Sequence, residues 1–119
     1  AGVPFESQQL LQLLGEAGST EQALALGYGI VGAPLVEELL FRGFLLPPLR
    51  RRMGMAATCL LAGGLFGLVH MTDPLAVAPL VVLGVALSWL RLRTGSIWPG
   101  VVVHVGNNAV AMAVGLLAS

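Results

Sequence analysis

Residues 36–46 read VEELLFRGFLL, and the fold turns on how the two glutamates and the arginine in this otherwise apolar run are read. The same stretch without charges is ordinary membrane-spanning sequence. With them, the question is why so apolar a chain places three charges there. Composition sets the frame. The chain has 119 residues, of which 56% are hydrophobic and 10% charged, with a mean hydropathy of +0.88. That balance lies well outside the soluble range and points to the bilayer.

Three further apolar runs support this reading: 55–71, 74–90 and 97–118, the last broken only by His104, Asn107 and Asn108. Each is of spanning or near-spanning length. Six arginines balance six acids without any lysine, which gives no basic face for nucleic acid. Arg50–Arg52 follow the first run, and Arg91 and Arg93 follow the third. The positive-inside rule places both clusters on the cytoplasmic side, with an even number of passes between them. The expectation is a multi-pass protein, in the bacterial inner membrane. There is no basic leader before a short apolar stretch and no initiator Met, so the sequence reads as part of a longer protein. The single cysteine, Cys59, is read as a small packing residue.

The fold expected is an all-α polytopic membrane bundle of about four transmembrane helices, preceded by a short amphipathic helix. Residues 1–18 form the amphipathic or connector segment, with leucines and glutamines interleaved over 4–18. Residues 19–119 form the membrane core. Ser19 or Thr20 with Glu21 is expected to cap the first helix, which is given an outer bound at about Arg51, tolerates Pro34 as a kink and ends near Pro47 and Pro48. Helices over about 55–70, 75–92 and 97–117 follow, with Thr94 and Gly95 as the break between the last two. Small residues at spacing four (Gly29 and Ala33, Gly63 and Gly67, Gly84 and Ser88) are read as close helix contacts.

Three polar constellations need an explanation: Glu37, Glu38 and Arg42; Phe66 and His70; His104 and Asn108. A charge at mid-bilayer costs about 2.5–3.5 kcal/mol on insertion scales, so such groups face a bundle interior or a wet cavity. Glu38 and Arg42 stand at i and i+4 and can neutralise one another, which leaves Glu37 over. His104 and Asn108 share a face by the same spacing, and Phe66 stands one turn before His70, where it can brace the imidazole. Counting helical rise from the arginine-rich ends puts Glu37, His70 and His104 at depths of about 18, 22 and 10 Å, compatible with one layer.

Singly, each group is explained by packing. Together they exceed what holding a small bundle requires. A buried glutamate beside a second carboxylate suits a general base acting on water, with a histidine sharing the proton. A histidine and an asparagine amide can donate to the oxyanion of a tetrahedral intermediate. Alternatively, Glu37, His70 and His104 could hold a divalent metal such as zinc with an open water position. No HExxH is present, and no serine or cysteine stands beside a histidine with an obvious partner, so covalent catalysis is disfavoured. A transporter fragment would more readily show paired, broken helices, which are not found.

The segments EELLFR (37–42), FGLVH (66–70) and HVGNN (104–108) resemble, in order, the EExxxR, FxxxH and HxxxN motifs of the CPBP intramembrane proteases, also called the Abi or CAAX protease family. The resemblance covers about residues 20–117. Members include CAAX endopeptidases, which remove the last three residues of a prenylated protein, and bacterial proteins linked to bacteriocin processing or immunity. The resemblance implies Glu37 as the base, assisted by His70, with His104 and Asn108 stabilising the oxyanion. It further implies that Glu38 and Arg42 pair to shape the site and that no metal is required. The implied substrate is a membrane-associated peptide or protein, lipidated in the CAAX case. The alternative within the family is a non-catalytic immunity or scaffold protein.

Overall fold

The computed structural model describes residues 18–118 together with Gln9, Gln12, Gly15 and Glu16. Apart from those few positions, the amphipathic segment expected over 4–18 lies outside the described residues. The rest is helical: α1 (Ser19–Arg52), α2 (Met55–Leu68), α3 (Pro74–Thr94) and α4 (Trp98–Ala118). At about 1.5 Å per residue, α1, α3 and α4 reach or exceed the ~30 Å hydrocarbon thickness, whereas α2 extends only about 21 Å. The expected all-α bundle of about four apolar helices is present, three of spanning length and one shorter.

α1 is capped at Gly18, whose N–H reaches the Glu21 carboxylate at 3.4 Å, so the cap precedes both Ser19 and Thr20. The helix then runs through Pro34, Pro47 and Pro48 and does not end near the last two. The reason is two widened, π-helical turns. At Tyr28–Gly32 the ladder shifts to i→i−5, with the Ala33 N–H bonded to the Tyr28 carbonyl. At Leu39–Leu45 the Leu46 N–H bonds to the Phe41 carbonyl in the same register. Each widened turn ends two residues before a proline, Gly32 before Pro34 and Leu45 before Pro47, so the ring meets a loosened turn instead of a tight i−4 carbonyl. The helix continues to the arginines.

α2 and α3 form a hairpin packed backbone to backbone. A Cβ on Gly63 would lie 2.6 Å from the Val85 nitrogen, one on Gly67 2.9 Å from the Val77 oxygen, and one on Gly84 2.9 Å from the Gly63 Cα. No side chain fits there, which is why small residues recur at spacing four on these helices. The hairpin turn at 69–73 includes His70, so α2 ends at Leu68, short of the expected 70. The His70 N–H bonds back to the Gly67 carbonyl in a tightened turn before Asp73 leads into Pro74, the first residue of α3. Gly95 ends α3 in the left-handed conformation, φ 71°, and Ser96 Oγ accepts the Trp98 N–H that opens α4.

The polarity of the bundle is inverted. Leu24, Phe44, Leu60, Leu75, Val82, Val102 and Leu117 are exposed, while Glu38, Arg42, Thr58, Ser88 and His104 are buried. In water this arrangement would be unfavourable on both counts; in lipid it is the expected one.

Candidate active site

The polar residues converge where α1 meets α2, α3 and α4. Glu38 and Arg42 lie one turn apart, both fully buried, with Arg42 Nη1 donating to Glu38 Oε1 at 3.2 Å. Arg42 Nη2 donates to the Gly84 carbonyl on α3 at 2.7 Å, and that carbonyl also accepts the Ser88 hydroxyl at 2.8 Å. The guanidinium carbon stands 4.7 Å from the centroid of Phe66. Arg42 thus joins the α1 pair to α3 and to an aromatic face on α2. The spacing of Gly84 and Ser88 suggested packing alone. That the Gly84 carbonyl anchors the arginine is visible only in three dimensions.

Glu37, unlike Glu38, retains partial exposure, with 27% of its side chain accessible. Its Oε2 lies 3.1 Å from His104 Nε2, and its Oε1 lies 3.7 Å from His70 Nε2. His104 Nδ1 faces Glu38 Oε1 at 2.9 Å, so this buried imidazole spans the two carboxylates of α1. A neutral imidazole carries only one N–H, so hydrogen bonding at both nitrogens needs one further proton within the trio. That proton also balances the charge, since Glu37, Glu38 and Arg42 alone sum to −1.

His70 is fixed differently. Its Nδ1 lies 2.8 Å from the Phe66 carbonyl, which can only accept, so the hydrogen is on Nδ1 and the Nε2 lone pair faces Glu37. Two acceptors directed at one another across 3.7 Å suit a shared proton or a water donating to both. Phe66 holds this geometry: it is fully buried, with ring centroids 5.1 Å from His70, 5.6 Å from His104 and 5.2 Å from Phe41.

Asn108 is one turn beyond His104 but not in contact with the carboxylates. Its Nδ2 donates to the Gly29 carbonyl at 2.9 Å. In the i→i−5 register of that turn, Gly29 O would accept from residue 34, and Pro34 has no N–H to give. The asparagine supplies the missing donor from another helix, as buried backbone in lipid requires. One amide N–H is so used, which fixes the carboxamide's orientation and leaves its second N–H.

Glu38 Oε2 and Arg42 Nε are buried without a hydrogen-bond partner among the described residues. Glu38 Oε2 lies against α4 at Gly100, where a Cβ would come within 3.1 Å, so this glycine is what lets the carboxylate approach the helix. No set of three His, Cys, Asp or Glu side chains among the described residues is arranged to hold a metal. The Glu37, His70 and His104 side chains considered for zinc are gathered, with His104 Nδ1 held by Glu38, His70 Nδ1 held by the Phe66 carbonyl, and both Nε2 atoms facing Glu37.

The family model described as type II CAAX prenyl endopeptidase, Rce1-like, matches residues 19–110. No significant match was found among curated proteins or solved structures.

Proposed function

Because the chain belongs to the Rce1-like family of type II CAAX prenyl endopeptidases, we propose that it is a multi-pass intramembrane endopeptidase using glutamate-activated water. The observation that carries this reading is Glu37: a partly exposed carboxylate flanked by two imidazoles from two other segments of the bundle. Its neighbour Glu38 is fully buried and committed to Arg42 and His104.

A water donating to Glu37 Oε1 and to the His70 Nε2 lone pair is held by two acceptors and attacks the scissile carbonyl carbon. Its proton passes to Glu37. As Glu37 is neutralised, His104 Nε2–H turns from its Oε2 to the oxyanion, which also accepts from the second N–H of Asn108, each such donor being worth about 10²–10³ in rate. Collapse of the tetrahedral intermediate returns the proton from Glu37 to the leaving amine. The substrate is a membrane-associated peptide or protein, a prenylated C-terminus being the class the family description names. No nucleic acid is involved. The arginine-bearing ends of α1 and α3 lie on the cytoplasmic side of a bacterial inner membrane.

The test uses purified protein with lipidated and unlipidated peptides. Glu37→Gln is expected to lower cleavage by about 10²–10⁴-fold, the usual worth of a general base. Cleavage that survives this change removes Glu37 as the base. Activity is expected to persist through exhaustive chelation, and loss restored by zinc would favour the metal alternative. A non-catalytic immunity or scaffold role is supported by the internal pairing of Glu38, Arg42 and Asn108. It is preferred if no peptide is cut while Glu37→Gln still abolishes an immunity phenotype.

A further inference from the structure

On the outer side of the α2–α3 hairpin, away from the Glu37 cluster, lies a groove of about 890 Å³. Met55, Cys59 and Leu60 form one wall, and Val82, Val85 and Trp89 form the other. Among the side chains that line it, the polar groups are the Cys59 thiol and the Trp89 indole N–H. Ala56, Val81 and Ala86 complete the lining. A flexible chain of methylenes matches this apolar surface.

One end of the groove is basic. The Arg93 guanidinium lies over the Trp89 ring, 5.8 Å from its centroid. Arg50 Nη1 donates to the Met53 carbonyl at 3.2 Å, two residues before Met55 starts the opposite wall. Both arginines are exposed. Two guanidiniums at the mouth of an apolar groove, at the end where two helices carry their arginines, present a complement for a phosphodiester.

We propose that this groove binds an anionic phospholipid, one acyl chain lying between α2 and α3 and the phosphate meeting Arg50 and Arg93. The proposal does not depend on the protease reading, since no residue of the Glu37 cluster takes part. Trp89 is a built-in reporter. In a Trp98→Phe background it is the only tryptophan of the chain, which has two. The protein is placed in phosphatidylcholine nanodiscs and titrated with phosphatidylglycerol bearing brominated acyl chains, or with phosphatidylcholine bearing the same chains. Half-maximal quenching of Trp89 is expected at a mole fraction lower for the anionic lipid by about fivefold per arginine. The double substitution Arg50→Gln/Arg93→Gln is expected to bring the two curves together, and Ala86→Phe, which fills the groove, to weaken quenching by both lipids. Equal curves for the unsubstituted arginines overturn the proposal. So does an anionic preference that survives the double substitution. Absence of quenching by either lipid overturns it as well.

Discussion

Arg42→Met is a direct probe of how the intramembrane charges are tolerated. Methionine keeps much of the apolar stem against Phe66 and removes the cation from a fully buried site. Glu38 then loses the partner at 3.2 Å and retains His104 at 2.9 Å, while its other oxygen already lacks a donor. The Gly84 carbonyl is not orphaned, because the Ser88 hydroxyl still reaches it at 2.8 Å. Breaking a buried ion pair from one side costs about 3–5 kcal/mol, and the surviving His104 contact places this case near 3 kcal/mol. Glu38→Gln leaves the buried arginine with neutral acceptors and an aromatic face but no counter-charge, for which the upper part of that range is expected. The double substitution Glu38→Gln/Arg42→Met removes both charges at nearly constant volume. It is expected to be less destabilised than the sum of the singles by about 3 kcal/mol or more. Reversible unfolding in mixed micelles, titrated with a denaturing detergent, measures all four corners of this cycle. Additivity within about 0.5 kcal/mol would refute the reasoning, since it would mean that the two charges do not depend on one another.

Two further outcomes follow from the packing. Gly67→Leu forces a side chain against the Val77 carbonyl and Val81 and is expected to cost about 1–3 kcal/mol in the same assay, with loss of cleavage as His70 is displaced. Pro34→Ala restores an N–H at the position whose i→i−5 partner is Gly29 O, so the backbone competes with Asn108 for that carbonyl. Stability is expected to change by less than about 1 kcal/mol, while cleavage falls because the amide loses its anchor. A thermodynamic cycle with Asn108→Ala checks this: in the alanine background at residue 34, removing the asparagine should cost less than in the wild type.

The spacing of VEELLFRGFLL already implied the Glu38–Arg42 pair, because i and i+4 on any helix bring those groups together. Hydropathy likewise located the apolar helices, since spanning length and charge exclusion are local properties of sequence. Helix ends were less legible. Pro47 and Pro48 predict a stop, and the widened turn that lets α1 pass through them is invisible to propensity rules, as is the tight turn that holds His70 beyond the end of α2.

Which groups meet was decided by the tertiary structure. Sequence pairs His104 with Asn108, yet the bundle directs the histidine to both glutamates of α1 and the asparagine to a carbonyl left over by a proline. Gly100 and Gly84 acquire roles in the site only because a carboxylate and a guanidinium come to rest against them. The physical reason is the solvent. In lipid every buried donor and acceptor must find its partner within the protein, so the sequence by itself determined which groups would need partners, and only the packing of the helices decided which partners they found.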